Sequence, residues 1–492
     1  MYLRRQSFLV LGLSKSGVSA TEFLLSKGAQ TYIYDDVESA KVQENFSQLT
    51  EKGAKRVSKD TLTQVSERCD VLVLSPGIPI DHPLAVSFKR AGKAVVGETE
   101  LAARYMRCPI IAVTGTNGKT TTVSLIEQTL LNGGYNAKAC GNIGTPLLSF
   151  TALREEDIAV AEISSFQMET LNSLCPHVAV VLNVTEDHLN RHYTMENYAF
   201  LKAKLLKNSS SAEYAVLNYD DRIVRSFAEK TKAKVLWFSI RERVQGAYYE
   251  NGDLYFGEEK IIAVKELFAS GLHNVQNALA TIAVAKIMGV KNEQIAKSLH
   301  EFRGIKHRIE NIGEVDGVTY VDDSKGTNVD ATAHALQAVK GEKILLLGGK
   351  NKGYDYTKLF EIMKKTNVVH AVLYGENRYE LLKCAQKQGF ENLTICTSFY
   401  LAVPVGMMMA KNGQTVLLSP ASASFDEFAS YEERGDTFAQ IVHARDKRAR
   451  EEKERNEENS FAVDKEGNDN EPEEYFIENA DVDGGDSNED LE

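Results

Sequence analysis

The sequence predicts an α/β protein of three domains. They are an N-terminal Rossmann-like domain over 1–98, a central P-loop-type domain with a parallel sheet over 99–304, and a C-terminal Rossmann-like domain over 305–446. A disordered acidic tail is expected over 447–492. Three observations carry this. Apolar strand-like runs alternate with helix-like stretches almost throughout, the pattern of parallel sheets joined by helices. Residues 112–122 read Ala-Val-Thr-Gly-Thr-Asn-Gly-Lys-Thr-Thr-Thr, directly after an apolar run. From about 447 the composition turns to Lys/Arg/Glu and then to Asp/Glu/Asn/Gly, too poor in apolar residues to offset chain entropy. At 492 residues the chain exceeds a single core, and its 43% hydrophobic content suffices for several.

In the first domain, strands are expected at 8–13, 31–34 and 71–74, with a helix at 18–27. The first turn reads Gly12-Leu-Ser-Lys-Ser-Gly17, and Asp35-Asp36 follows about 20 residues on. This arrangement suits a diphosphate at the turn and a ribose or base near Asp35. The loop is not G-x-G-x-x-G, which counts against NAD.

The second domain opens with the strand at 110–113 and the loop Gly115-Thr-Asn-Gly-Lys119-Thr120. Glycines let backbone N–H groups approach phosphate oxygens, the helix N-terminus favours anions, Lys119 adds a charge and Thr120 a hydroxyl for Mg²⁺. The loop is shorter than G-x4-G-K-[ST], with Val113 where the first glycine would fall. Strands are expected at 158–163, 178–184 and 214–217. Two polar clusters follow consecutive apolar strands, Glu162-Ile-Ser-Ser-Phe-Gln167 and Asn183-Val-Thr-Glu-Asp-His188. Both fall on the sheet edge that carries the loop. Glu162 suits Mg²⁺, and His188 is a less usual ligand. The alternatives are a helix-capping Glu162 and a structural His188. Lys202 and Lys204 lie on a helix-like stretch, where spacing alone does not separate them from a solvated face.

The third domain has strands expected at 318–321, 344–347, 369–373 and 415–418. Its strand exits carry Asp322-Asp-Ser-Lys-Gly-Thr-Asn328, Leu347-Gly-Gly-Lys-Asn-Lys352 and Leu418-Ser-Pro-Ala-Ser-Ala-Ser-Phe425, with His307-Arg308 at the entrance. Cations gathered there suit phosphate and carboxylate ligands.

The net charge of −12 is uneven: residues 451–492 carry −15, leaving +3 on the body. A nearly neutral body argues against a nucleic-acid surface. No run approaches 18 apolar residues, so no membrane span is expected. The six cysteines show no paired spacing and fit the reducing cytoplasm.

Taken in order, the segments resemble the ATP-dependent Mur ligase family over about residues 1–446. The marks are Thr114-Gly-Thr-Asn-Gly-Lys-Thr120, Gly141-Asn-Ile-Gly144, the clusters at 162–167 and 183–188, His273-Asn-Val-Gln-Asn277, His307-Arg308 and Asp323-Ser-Lys-Gly-Thr-Asn328. The turn at 12–17, Ser75-Pro-Gly-Ile78 and the 418–428 segment are similar to its D-glutamate-adding branch.

The resemblance implies an amide ligase of peptidoglycan precursor synthesis, using ATP and two Mg²⁺ sites. A UDP-sugar would lie on the first domain, ATP on the second and the incoming amino acid on the third. The γ-phosphate passes to the carboxylate of UDP-MurNAc-L-alanine, and the D-glutamate amine attacks the acyl phosphate. By position, Gly115, Thr116, Asn117, Gly118, Lys119, Thr120, Thr121, Asn274, Asn277, Arg308, Asp323 and Lys325 match the ATP set. Ser14, Lys15, Ser16, Asp35, Gly77, Asn142 and His188 match the UDP-sugar set, and Thr327, Lys352, Ser424, Phe425 and Tyr431 the D-glutamate pocket. Thr120, Glu162, His188 and Lys202 match the metal positions, Lys202 as a carbamate with Lys204 as the competing position. Lys119, Glu162, His188 and Lys202 form the catalytic set.

A monomer that closes around its substrates is expected. Another Mur-type ligase, a folylpolyglutamate synthase-like amide ligase and a non-catalytic nucleotide-binding regulator remain the competing readings.

Overall fold

The computed structural model describes residues 3–37, 39–142, 144–267, 271–302, 304, 306–351 and 355–466. They form two compact units, Met1–Ile305 and Lys306–Glu492, the first holding two sheets and the second one.

The first sheet is wholly parallel, in the order β3-β2-β1-β4-β5. Its strands are β1 (Ser7–Leu11), β2 (Gln30–Tyr34), β3 (Lys55–Arg56), β4 (Val71–Leu74) and β5 (Ala94–Val96). β4 is buried throughout, as expected of a parallel strand covered on both faces. The strand order reverses between β1 and β4, where open α/β sheets place their ligand crevice.

At that point Gly12 takes φ +88°, and a Cβ on Gly17 would lie 1.8 Å from the Gly12 carbonyl oxygen. The two glycines let the helix Lys15–Ser26 start hard against the turn. Ser75 Oγ donates to the Gly12 carbonyl at 2.8 Å. The Asp35 carboxylate accepts from the Leu13 and Val37 amides at 2.6 and 2.9 Å, so it braces the turn from the end of β2.

The second sheet runs β14-β13-β12-β11-β10-β9-β6-β8-β7. Its strands are β6 (Ile110–Thr114), β7 (Ala137–Gly141), β8 (Ile158–Glu162), β9 (Val178–Val181), β10 (Tyr214–Asn218), β11 (Lys234–Ser239), β12 (Gly246–Glu250), β13 (Asp253–Phe256) and β14 (Glu259–Ala263). β6 to β12 pair parallel; β12, β13 and β14 add an antiparallel extension that the apolar-run reading did not anticipate. Its signal is Asn251-Gly252, with φ of +49° and +90°, the pair that a tight hairpin turn demands. One apolar cluster takes in Phe23 and Leu24 from the first sheet's helix with Leu147, Leu148 and Ala161 from the second, so the two sheets share a core.

The second unit has the order β15-β16-β20-β17-β18-β19. The strands are β15 (Glu310–Val315), β16 (Val318–Asp322), β17 (Lys343–Gly348), β18 (Val368–Tyr374), β19 (Leu393–Ile395) and β20 (Thr415–Leu418). Among these six strands only β15 and β16 pair antiparallel, across a second tight turn at Asp316-Gly317.

The last helix, Tyr431–Glu466, buries Phe438, Val442 and Ala449. It therefore continues past 447, where the tail was expected to begin. The packed first half supplies the helix nucleus, and the pairs Asp446–Arg450 and Lys447–Glu451 lie four residues apart on it. Residues 467–492 and the expected pocket residue Lys352 lie outside the described residues. Among the described residues no helix is long and apolar enough to cross a membrane.

Gly17→Ala is expected to lower stability by about 2 kcal/mol or more through overpacking against the Gly12 carbonyl, measured as the urea unfolding midpoint. Gly77→Ala, where a Cβ meets nothing within 4 Å, should leave that midpoint in place.

Candidate functional site

β6 ends at Thr114, and the chain turns through 115–118 into the helix Lys119–Asn132. Neighbouring strand exits hold this loop. Thr116 Oγ1 donates to the Thr185 carbonyl at 3.1 Å, accepts from the Thr185 amide at 3.0 Å and lies 3.2 Å from Tyr198 Oη. The Asn117 amide donates to Asn183 Oδ1 at 2.8 Å. Gly118 takes φ +84°, and a Cβ there would stand 2.4 Å from Asn277 Oδ1. Asn277 also accepts from Thr122 Oγ1 at 3.2 Å, so it supports the loop from beneath. Asn274, on the same helix, is half-buried.

Glu162, at the end of β8, is 3% exposed. One of its oxygens accepts from Thr120 Oγ1 at 2.8 Å and the other from Asn142 Nδ2 at 2.7 Å. The helix-capping alternative for Glu162 fails, because Ser164 and Gln167 form the capping box of the next helix by themselves. A carboxylate and a hydroxyl so joined at the mouth of the loop are the hard oxygen donors that Mg²⁺ takes.

Lys119 Nζ donates to the carbonyls of Gly115 and Thr116 at 2.9 and 2.8 Å. Lys202 Nζ reaches the same Gly115 carbonyl at 2.8 Å and lies 4.6 Å from the Tyr198 ring centre. The helix Met195–Ala203, capped by Thr194, buries Lys202 to 1% exposure. Burial, with the Lys119 charge adding to it, holds the Lys202 amine well below the usual lysine range, against the opposing pull of Asp187 and Glu162. Lys204, two residues on, donates instead to the Met168 and Glu169 carbonyls. Thr121 follows Thr120 in the first turn of the loop's helix.

His188 adopts φ +53°. Its amide donates to Asp187 Oδ1 at 2.8 Å, and its ring lies 4.8 Å from that of Phe166. His192 is the buried histidine of the segment, 1% exposed, stacked on Tyr198 and 3.0 Å from Ser165 Oγ. Burial first, then the His188, Arg191 and Lys202 charges, lowers it to about 4. Burial likewise pushes the Tyr198 hydroxyl up to about 12. Sequence reasoning assigned roles to neither; the apolar and aromatic residues around them were the available signal.

On the first sheet, Ser14, Lys15 and Ser16 open the helix Lys15–Ser26, Ser14 and Lys15 exposed and Ser16 half-buried. Gly77 is exposed after β4.

In the second unit, Asp323 is buried, accepts from Ser419 Oγ at 2.6 Å, and is pushed up to about 7 by burial against the Ser419 bond and the Arg308 charge. Lys325 Nζ stands 5.7 Å over the Tyr431 ring, and the Thr327 amide donates to the Lys325 carbonyl. Ser424 is 2% exposed, and its hydroxyl has no hydrogen-bond partner among the described residues. Phe425 is exposed.

Arg434 was missed. Fully buried, it donates to Ser324 Oγ at 3.0 Å, to the Ser324 carbonyl at 2.8 Å and to the Ser422 carbonyl at 3.2 Å, tying the β16 and β20 exits together. His307, Glu310 and Asp322 hold donor atoms within 4.8 Å of one another. Their own hydrogen bonds account for the group: His307 Nδ1 lies 2.7 Å from Asp322, and the His307 amide donates to Glu310 at 2.7 Å. Burial would lower the His307 imidazole, but Asp322 and Asp436 outweigh it and raise it.

Three family profiles match the chain: a Mur ligase MurD-like N-terminal domain over 6–97, a Mur ligase middle domain over 113–285, and a Mur ligase glutamate ligase domain over 307–422. The UDP-N-acetylmuramoylalanine–D-glutamate ligase of Pelotomaculum thermopropionicum is 40% identical over 444 residues, 89% of this chain and 97% of that protein. The protein of the same name from Clostridioides difficile is 37% identical over 449 residues, 90% and 99% of the two chains. Among solved structures, the UDP-N-acetylmuramate–alanine ligase of Thermotoga maritima matches with a TM-score of 0.57 at 16% identity, over 89% of this chain and 99% of that one. A pseudomurein peptide ligase from Methanothermus fervidus matches at 0.53 and 18%, over 89% and 100%. These two share the fold.

Because the folded His192 imidazole lies near 4, below its unfolded value of about 6.5, its contribution to stability is complete above pH 6.5 and is lost as pH falls toward 4. Thermal melts between pH 7.5 and 4.5 should show a fall in Tm that is smaller in His192→Gln.

Proposed function

The chain belongs to the Mur ligase family, and from that premise we propose that it joins D-glutamate to UDP-N-acetylmuramoyl-L-alanine at the expense of ATP, releasing ADP and phosphate. The observation that carries the reading is the set gathered at the loop after β6. There one buried carboxylate is bonded to Thr120 and Asn142, beside two lysines that share one carbonyl.

The chemistry needs such a set. A carboxylate is a poor acyl donor until a phosphoryl group turns its oxygen into a leaving group. The amine then attacks the carbonyl carbon, a C–N bond forms, and phosphate departs with the C–O bond electrons. Both reactants are anionic, so positioning and fixed positive charge supply most of the catalysis. We assign Gly115, Thr116, Asn117, Gly118, Lys119, Thr120 and Thr121 to the ATP phosphates, and Asn274, Asn277, Arg308, Asp323 and Lys325 to the rest of the ATP-binding set. Ser14, Lys15, Ser16, Asp35, Gly77, Asn142 and His188 hold the nucleotide sugar, Asp35 also bracing the turn. Thr327, Lys352, Ser424, Phe425 and Tyr431 receive D-glutamate.

Glu162, Thr120, His188 and a carbamylated Lys202 would hold Mg²⁺ at two sites, and the metal when bound supplies charge that neutralises phosphate oxygens. Lys202 suits carbamylation because burial holds its amine well below the usual lysine range, which favours the form able to add to carbon dioxide. The nitrogen adds to carbon dioxide, an N–C bond forms, a proton leaves, and the product is a carboxylate. The work is done in the cytoplasm by a monomer.

Phosphate release that requires both UDP-MurNAc-L-alanine and D-glutamate is the expected result. Release with another amino acid but not D-glutamate would overturn the substrate assignment. Lys119→Ala should lose at least about 100-fold in kcat while melting like the parent. Lys202→Ala should lose activity that added formate or acetate partly restores, whereas Lys204→Ala should keep most of it; the reverse pattern would show the other lysine to be the ligand.

A further inference from the structure

Arg191 has no part in the phosphate loop, yet it is among the most heavily bonded side chains of the first unit. It lies in the short helix Leu189–His192, three residues after His188. Its guanidinium donates to the carbonyls of Pro76, Gly77 and Ile78 at 3.3, 3.3 and 2.8 Å. The same group forks onto Glu169, Nε to Oε1 at 2.9 Å and Nη2 to Oε2 at 2.6 Å. The Arg191 and Glu169 side chains are 13% and 6% exposed, so the pair is little screened by water. The guanidinium also lies 5.0 Å from the centre of the Phe166 ring, which in turn contacts His188.

The turn it grips closes the first sheet's crevice. Ser75 bonds the Gly12 carbonyl there, and the end of the Ile78 side chain stands 2.7 Å from where a Gly12 Cβ would be. Tyr193 repeats the link two residues on, its hydroxyl donating to Asp81 at 2.8 Å. Only a planar fork with five donors can serve a carboxylate and three successive carbonyls together, which an ammonium cannot do.

We propose that Arg191 is a positioning residue for the nucleotide sugar, fixing the 76–78 turn of the first sheet against the His188 segment so that the ligand's carboxylate is presented to the phosphate loop. This rests on the reading of the first sheet as the nucleotide-sugar site.

Arg191→Met keeps the stem against Phe166 and removes the donors. Its KM for UDP-MurNAc-L-alanine is expected to rise roughly tenfold, the loss of one to two charge-assisted bonds, with the KM for ATP unchanged within about twofold. Arg191→Lys should recover part of that rise. Glu169→Gln should raise the same KM, and the double variant should fall short of the product of the two effects, because both act through one group. A parallel rise in both KM values, or a lower Tm with neither KM moved, would reduce Arg191 to a structural role and overturn the proposal.

Absence of turnover by the parent protein on this nucleotide sugar would instead strike the functional reading. The latch is then judged by amide hydrogen exchange. Faster exchange at 76–81 in Arg191→Met, with 115–120 unchanged, supports it, and equal rates at 76–81 overturn it.

Discussion

The Gly115 carbonyl receives the amines of both Lys119 and Lys202, and the arrangement of the central loop depends on this convergence. Burial, with the Lys119 charge adding to it, holds the Lys202 amine well below the usual lysine range. Of the two, Lys119 is half-buried and Lys202 is buried. Glu162 completes the balance, a buried carboxylate whose two oxygens are each bonded to a neutral donor and remain able to accept a cation. Burial thus sets two identical side chains apart.

The second constraint is between sheets. The first sheet's crevice is assembled from turns that cannot hold themselves: Gly12 and Gly17 are in near contact, Asp35 braces Leu13, and Ser75 reaches back to Gly12. The turn after β4 is then fastened to the second sheet's polar segment by Arg191 and Tyr193. Together with the shared apolar core this makes the two sheets one unit. Binding residues on loops gain their precision from the rigid elements that carry them, and here one guanidinium bonds three successive carbonyls of the turn.

Much of this was legible in the chain. β4 and β20 fall at the residues where their apolar runs stand, because parallel strands buried on both faces must be apolar throughout. The glycine loop was readable because phosphate binding requires backbone that side chains would block. The antiparallel extension was less legible: its strands mix tyrosine with glutamate and are only partly buried, so Asn251-Gly252 was the stronger sign. The helix beyond 447 escaped for a related reason. Its composition is that of a solvated segment, and it is helical as the continuation of a packed one.

The sequence by itself determined many of the parallel strands, the loop and the candidate set around it, since these follow from local periodicity and from which residue types phosphates and metals accept. Tertiary structure alone put Lys202 on the Gly115 carbonyl and Lys204 on those of Met168 and Glu169, gave Asp35 a bracing role, and brought forward Arg191, His192 and Arg434. The physical reason is that a side chain's charge and partners depend on what distant segments pack around it. Lys202 meets a carbonyl 87 residues away, and Arg434 one of its partners 110 away, separations over which no local pattern carries information.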